Sequence, residues 1–398
     1  MRISTANGYS TAIDSLMDRQ TSLTDTQLQM TSGKRVNKAS DDPAAAARSE
    51  RAQATQARTA ATQRAVDASN NAMTLTEGAL GDAGDLMQQV REALVSAGNA
   101  TYGDIERAGV ADTLAGLRQQ LLAVANRTDG SGNYLFGGQS SSQAPFTDMP
   151  GGVQFQGSPG ASQSASGNAL PLSLDGDSAW MSARTGNGVF ATSATTSTGS
   201  AWIDAGKVTN PGALTGSTYS VQFSVAAGAT TYSVLKDGVP TAQSNVAFTP
   251  GQSVQVDGMS AAISGRPANG DAFQFAPSTA NLSVFDALDQ AISALKTPNR
   301  SSAQIQQGNA VSLASVDSVM GQLNSARSAV GATMNRVSAV TDRLSALTLS
   351  SKTEQSNAED LDMTQAISDF SNKQTGYDAA LKAYSMVQRL SLFNYLSS

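Results

Sequence analysis

Neither cysteine nor histidine occurs anywhere in the 398 residues. The first absence rules out disulfides, thiolate nucleophiles and sulfur-ligated metals. The second rules out Ser-His-Asp triads, imidazole metal sites and histidine pH switches. Basic residues number 26 against 32 acidic ones, a net charge of -6, and there is no polybasic run. A nucleic-acid backbone therefore has nothing to follow. Proline is nearly missing from both flanks: all except Pro43 lie between Pro145 and Pro298. Long apolar runs are lacking too, so no segment is suited to cross a bilayer. The opening MRISTANGYSTAIDSLMDRQ has no apolar core or small-residue cleavage site after Arg2. It reads as something other than a secretory signal, and export would need another route.

What the flanks do contain is heptad spacing. Tyr9, Leu16, Leu23 and Met30 fall on every seventh position near one end, and Met363, Phe370, Tyr377 and Tyr384 near the other. Such a repeat lays a narrow apolar stripe along a helix, which buries best against another helix. With Ile13 and Leu381, these are the candidate assembly-interface residues. The stripes alone do not hold their helices. Ordering a residue's backbone costs roughly 1–2 kcal/mol, whereas one large side chain returns about 1.5–3 kcal/mol when fully buried. Both ends are expected to be disordered in the free monomer and helical once packed on partners. The alternative is an ordinary helical hairpin inside one domain.

Asp41 and Asp42 precede Pro43, an acidic cap followed by proline at the first helical position, so a helix is expected to start there. Along it Val66, Met73, Leu80, Met87 and Leu94 recur every seven residues, and Gly98 with Tyr102-Gly103-Asp104 ends it. Leu114, Leu117, Leu121 and Val124 predict a shorter helix that folds back. Val284 to Leu295 reads as another short helix, followed by a long one striped by Val316, Leu323, Val330, Val337 and Leu344. The middle is rich in Gly, Ser and Thr and holds both tryptophans, Trp180 and Trp202. There Tyr219, Val221, Phe223 and Val225 alternate with polar residues before a glycine-containing turn and Tyr232 and Val234, a hairpin pattern. Lys236-Asp237-Gly238, Asp257-Gly258 and Asn269-Gly270-Asp271 are further turn signals.

The expected fold class is α+β: a long coiled-coil-like helical bundle formed by both termini, with an inserted β-rich domain. The expected parts are terminal helices over 1–40 and 350–398, a helical rod over 41–145 and 283–349, and an outer β domain over 146–282.

Catalytic and metal sites are expected to be absent, as are cofactors. Carboxylate pairs such as Asp41 with Asp42, Asp175 with Asp177, and Glu359 with Asp360 and Asp362 could serve as acid and base or hold a metal. The first pair sits where a helix cap belongs, however, and the last group where negative charge favours a helix start. The glycines of Asp129-Gly130-Ser131-Gly132 and Gly137-Gly138 lack the Gly-Lys-Ser or Gly-Lys-Thr of a phosphate loop and read as turns.

The segment TSGKRVNKASDDPAAAA, Thr31 to Ala47, resembles the N-terminal signature of the bacterial flagellin family. Its Asp41-Asp42-Pro43 is the form carried by members at the hook-filament junction, since filament flagellins usually have alanine after the two aspartates. The opening MRIST, the turn DGSGNYLFGG (Asp129 to Gly138) and the ending YDAALKAYSMVQRLSLFNYLSS are similar to the same branch. The likeness covers roughly 1 to 145 and 283 to 398. It implies a non-enzymatic, extracellular component of the flagellum whose terminal helices line an inner tube and whose β domain faces solvent. It also implies a ring of copies of the chain, joining the first hook-associated protein to flagellin. Export would pass unfolded through the flagellar type III apparatus, with a chaperone on the C-terminal segment, around Tyr377 to Tyr395. Filament flagellin is the nearest alternative. A secreted adhesin on a helical stalk explains the middle but not the paired stripes, and an enzymatic insertion lacks the residues for a metalloprotease.

Overall fold

The computed structural model describes residues 5–140, 142–164 and 170–396, and side-chain surroundings between 9 and 386 within those ranges. Residues 1–4 of the opening motif, the last two serines and the surroundings of Tyr395 lie outside the described residues. The chain divides into two compact units, 65–339 and the pair 1–64 with 340–398. Two helices, α2 (Pro43–Ala97) and α5 (Ser302–Glu359), belong to both. α5 runs unbroken through residue 350, where the sequence suggested a border, because no glycine or proline between Leu344 and Glu359 stops it.

In the unit 65–339 the heptad residues form one core. Met73, Leu80, Met87 and Leu94 of α2 and Val316, Leu323 and Val330 of α5 are all buried in it. α3 (Asp104–Ala125) adds Leu114, Leu117 and Leu121, and α4 (Val284–Lys296) adds Phe285, Leu288 and Ala291. The helix ends are where the punctuation put them. The Gly98 amide donates to Leu94 O at 3.2 Å beyond the last turn of α2, and Ser283 caps α4 by accepting from the Asp286 amide at 2.8 Å. Arg91 pairs with Asp317 at 2.8 Å across α2 and α5.

The middle does not form one outer domain over 146–282, and this corrects the sequence reading. Strands β1 (Phe146–Met149) and β2 (Gly152–Phe155) form a hairpin whose Phe146 and Val153 lie in the helical core. Trp180 is fully buried there rather than in a β domain. Its ring stacks on Phe285 at 6.0 Å and meets Phe136 edge-on at 5.4 Å. The buried Arg118 guanidinium fastens the same region, donating to Asp148 at 2.7 and 2.9 Å and to Asp289 at 3.0 Å. β3 (Ala183–Arg184) pairs with β14 (Ala280–Leu282), so chain entry and exit run side by side.

Between them stands a separate β domain with its own core. Its larger sheet has the order β10 (Val246–Ala247), β8 (Ala229–Lys236), β7 (Tyr219–Ala226), β13 (Ala272–Pro277), β4 (Phe190–Thr196), with β9 (Val239–Pro240) also on β8. The smaller sheet is β11 (Ser253–Val256), β12 (Met259–Ser264) and β5 (Trp202–Ile203), with β6 (Lys207–Val208) on β12. Tyr219, Val221 and Phe223 point inward from β7 as their alternation demands, and pack with Phe273, Phe275, Val254 and Ile263. Asp237-Gly238 and Asp257-Gly258 turn with positive φ at both residues, the geometry that matches strand twist. Trp202, half-buried, belongs to this domain.

Candidate assembly site

The unit of 1–64 and 340–398 holds α1 (Thr5–Ser32), α6 (Met363–Leu396) and the adjoining ends of α2 and α5. α1 packs on α6 along the predicted stripes. Leu16, Leu23 and Met30 are half-buried on one helix, Phe370, Tyr377 and Tyr384 on the other, and Tyr9 meets Tyr384 edge-on at 6.5 Å. Lys373 Nζ donates to Thr26 Oγ1 at 2.8 Å. A Cβ at Gly376 would stand 3.0 Å from the Arg19 guanidinium, so the glycine leaves room for that side chain.

The other three candidates do not join this seam. Ile13, Met363 and Leu381 are 42%, 43% and 41% exposed, at its margin rather than within it. Met17, Leu28 and Ile367 are exposed with them. The heptad pattern therefore marks an intramolecular seam, and a second set of apolar residues beside it is left without cover.

The signature loop between α1 and α2 is tied to the loop between α5 and α6. Gly33 takes φ +69°, and the chain then pairs Lys34 with Asp360 in a short antiparallel bridge. The Arg35 amide donates to Glu359 O at 2.7 Å, and the Leu361 amide to Gly33 O at 3.0 Å. The Arg35 guanidinium spans Asp42 at 3.1 Å and Ala358 O at 2.9 Å. Asp41 accepts from the amides of Lys38 and Asn37 at 2.8 and 3.0 Å, which hold its carboxyl below the usual range. Asp42 caps α2 by accepting from the Ala45 amide at 3.0 Å; that bond and Arg35 lower its pKa as well. The capping role expected of this pair falls to Asp42 alone, while Asp41 closes the loop before the helix.

Glu359 is a correction. It ends α5 rather than starting the next helix, because the chain bends only after it, and Asp362 caps α6 through the amides of Thr364 and Gln365. The Glu359 side chain turns inward, accepting from Ser49 Oγ at 2.8 Å and Gln355 Nε2 at 2.8 Å, with Lys34 Nζ at 3.2 Å. Burial pushes its carboxyl up, but these three donors outweigh that and hold it below the ordinary value. Sequence reasoning missed Lys34, Arg35, Ser49 and Gln355 as parts of one site. The only signal was the Lys34-Arg35 dipeptide facing an acidic group more than 300 positions later.

Of the other candidate carboxylates, Asp175 accepts from the Asp177 amide at 3.1 Å and Asp177 from Ser182 Oγ at 3.3 Å. Asp129 accepts from the Ser131 and Asn133 amides at 2.8 and 3.1 Å in the turn its glycines predicted. Among the described residues no three His, Cys, Asp or Glu side chains are grouped to hold a metal, and no helix is long and apolar enough to cross a membrane.

Comparison with known proteins bears on this arrangement directly. The bacterial flagellin N-terminal helical region matches residues 3–141, and the flagellin C-terminal helical region matches residues 313–396. The chain belongs to the bacterial flagellin family. Flagellar hook-associated protein 3 of Salmonella typhimurium is 36% identical to it over 152 residues, 38% of this chain and 48% of that protein. The match thus spans about half the length of that curated relative. Two crystal structures extend the likeness of this flagellin-family chain. Hook-associated protein-3 of Legionella pneumophila aligns with TM-score 0.71 at 26% identity, over 76% of this chain and 97% of its own. Xanthomonas campestris FlgL aligns with TM-score 0.69 at 29% identity, over 77% and 99%.

Proposed function

We propose that this protein is a structural subunit of the bacterial flagellum that forms the ring between hook and filament. The observation that carries this reading is the alignment over nearly the whole length of solved structures, one of them named the flagellar junction protein FlgL of Legionella pneumophila and another hook-associated protein-3 of the same organism. Asp41-Asp42-Pro43, which caps α2 and sets the course of the chain after α1, supports the junction form over a filament subunit. The uncovered apolar residues beside the seam supply what assembly needs. Exposed Ile13, Met17, Ile367 and Leu381 would be buried against neighbouring subunits. A heterologous interface of this kind builds rings and helical arrays rather than closed dimers.

In this role the chain contacts the first hook-associated protein on one side and flagellin on the other, and its work is mechanical rather than catalytic. It leaves the cell unfolded by the flagellar type III route, with an export chaperone on the segment from Tyr377 to Tyr395. α1 and α6 become ordered on assembly. The test is immunogold electron microscopy of intact flagella with antibody against the β domain. Label confined to a band between hook and filament is expected. Label along the whole filament would make the chain a filament flagellin, and label away from flagella would overturn the assignment.

A further inference from the structure

The function proposed above, on which this inference rests, requires one copy of the chain to grip the next. The terminal unit carries two charge rows that the monomer leaves unmatched. On α1, Asp14, Asp18 and Asp25 are exposed, and gaps of four and seven residues set them on one helical face. That face lies opposite Leu16 and Leu23, with exposed Met17 and Leu28 beside it. On α2, Arg48, Arg51 and Arg58 are exposed, with gaps of three and seven. None of the six makes an ion pair among the described residues. The arginines bond only along their own helix: Arg48 to Ala44 O at 3.4 Å, Arg51 to Ala47 O at 3.1 Å, Arg58 to Thr55 Oγ1 at 3.3 Å.

Scattered surface charge is ordinary, but this pattern is not scattered. No residue three or four positions from any of the aspartates is basic, and none so placed about the arginines is acidic. Instead Asp14 neighbours Asp18, and Arg48 neighbours Arg51, at the very spacings where like charges destabilise a helix. The two rows also fit each other. Set parallel, Asp14, Asp18 and Asp25 fall opposite Arg48, Arg51 and Arg58 with offsets that differ by one residue, about 1.5 Å of helix rise. Set antiparallel, the gaps disagree by about three residues. One chain cannot make the parallel match with itself. Residues 33–42 would have to run back about 35 Å, nearly their full reach, and they are folded into the joint with Glu359 and Asp360.

We propose that the arginine face of α2 in one copy docks the aspartate face of α1 in a neighbouring copy, the two helices lying parallel with Asp14, Asp18 and Asp25 opposite Arg48, Arg51 and Arg58. Exposed Ala44, Ala47 and Ala54 beside the arginines are small enough to let the helices approach. Each copy offers one face of each sign, so the contact propagates from copy to copy.

The absence of native cysteine makes the test clean. Asp25→Cys and Arg58→Cys are placed in one chain, flagella carrying it are isolated, and a short bismaleimide is added. A ladder of covalent dimers and higher oligomers is expected, with monomer only from either single variant, and dimers when the two single variants are co-expressed. In a second arm, Arg51→Glu with Arg58→Glu is expected to cut the amount incorporated into flagella at least tenfold while the chain is still secreted, and added Asp18→Arg with Asp25→Arg to restore it. Flagella that hold the double-cysteine chain yet give no oligomers would overturn the proposal. So would normal incorporation of the charge-reversed chain, or failure of the swapped pair to restore it. If the unaltered chain is itself missing from the junction, it is the functional assignment that fails.

Discussion

The Glu359 carboxylate gathers donors from three stretches of chain: Lys34 after α1, Ser49 in α2 and Gln355 in α5. Its value lies in where it sits, at the step where α5 gives way to α6 and where the Arg35 amide reaches Glu359 O. Glu359→Gln keeps the shape but loses the charge, and is expected to cost about 1.5–3 kcal/mol, the usual worth of hydrogen bonds to a charged group. The pH dependence follows from the direction of the shift. The folded carboxyl titrates below its ordinary value, so its contribution is complete above about pH 5 and fades as pH falls through and below about pH 4. Hydrogen exchange at the Arg35 amide reads this: its protection factor is expected to hold from pH 8 to 5, fall in acid, and be lower and flat in the variant. Equal protection in both chains would remove Glu359 from the joint.

At the scale of elements, α1 and α6 contrast with α2 and α5. The long pair buries Met73, Leu80, Met87, Val316 and Leu323 in a shared core. Among the described residues of α1 no apolar side chain is fully buried, and in α6 only Ala366 is. Burial on that scale falls short of the entropy of ordering 28 and 34 residues. Amide resonances of Leu16 and Tyr377 in dilute monomer are therefore expected to be poorly dispersed and to lack exchange protection; sharp, dispersed signals would show that the seam suffices alone. The heptads were legible because period 3.5 is a local property, carried by Val66 to Leu94 and Val316 to Leu344 without help from elsewhere. The destination of Trp180 was not. The large apolar ring of a tryptophan favours burial, but local sequence does not say against which core, and the partners Phe136 and Phe285 are distant in the chain. The joint was half legible for a similar reason: Asp42 caps a neighbour three residues on, whereas Arg35 and Glu359 meet only after both halves of the unit have come together.

For the whole molecule, the decisive point is that the β domain has its own core and two adjacent connections. The Thr185 amide donates to Thr279 O at 3.0 Å, so the chain enters and leaves across one hydrogen-bonded step. Removing 186–278 and joining Thr185 to Thr279 through a short glycine linker is expected to leave cooperative helical unfolding within a few degrees of the intact chain, measured by circular dichroism. A collapse in helicity would mean that the rod depends on the domain it carries. The placement of the indoles gives the two cores separate optical signatures. Trp180 sits dry among phenylalanines and Trp202 is half-buried in the β domain, so one ultraviolet excitation returns a blue-shifted and a redder emission. The molecule thus carries its own pair of dyes, able to tell, without any label, which part has come apart.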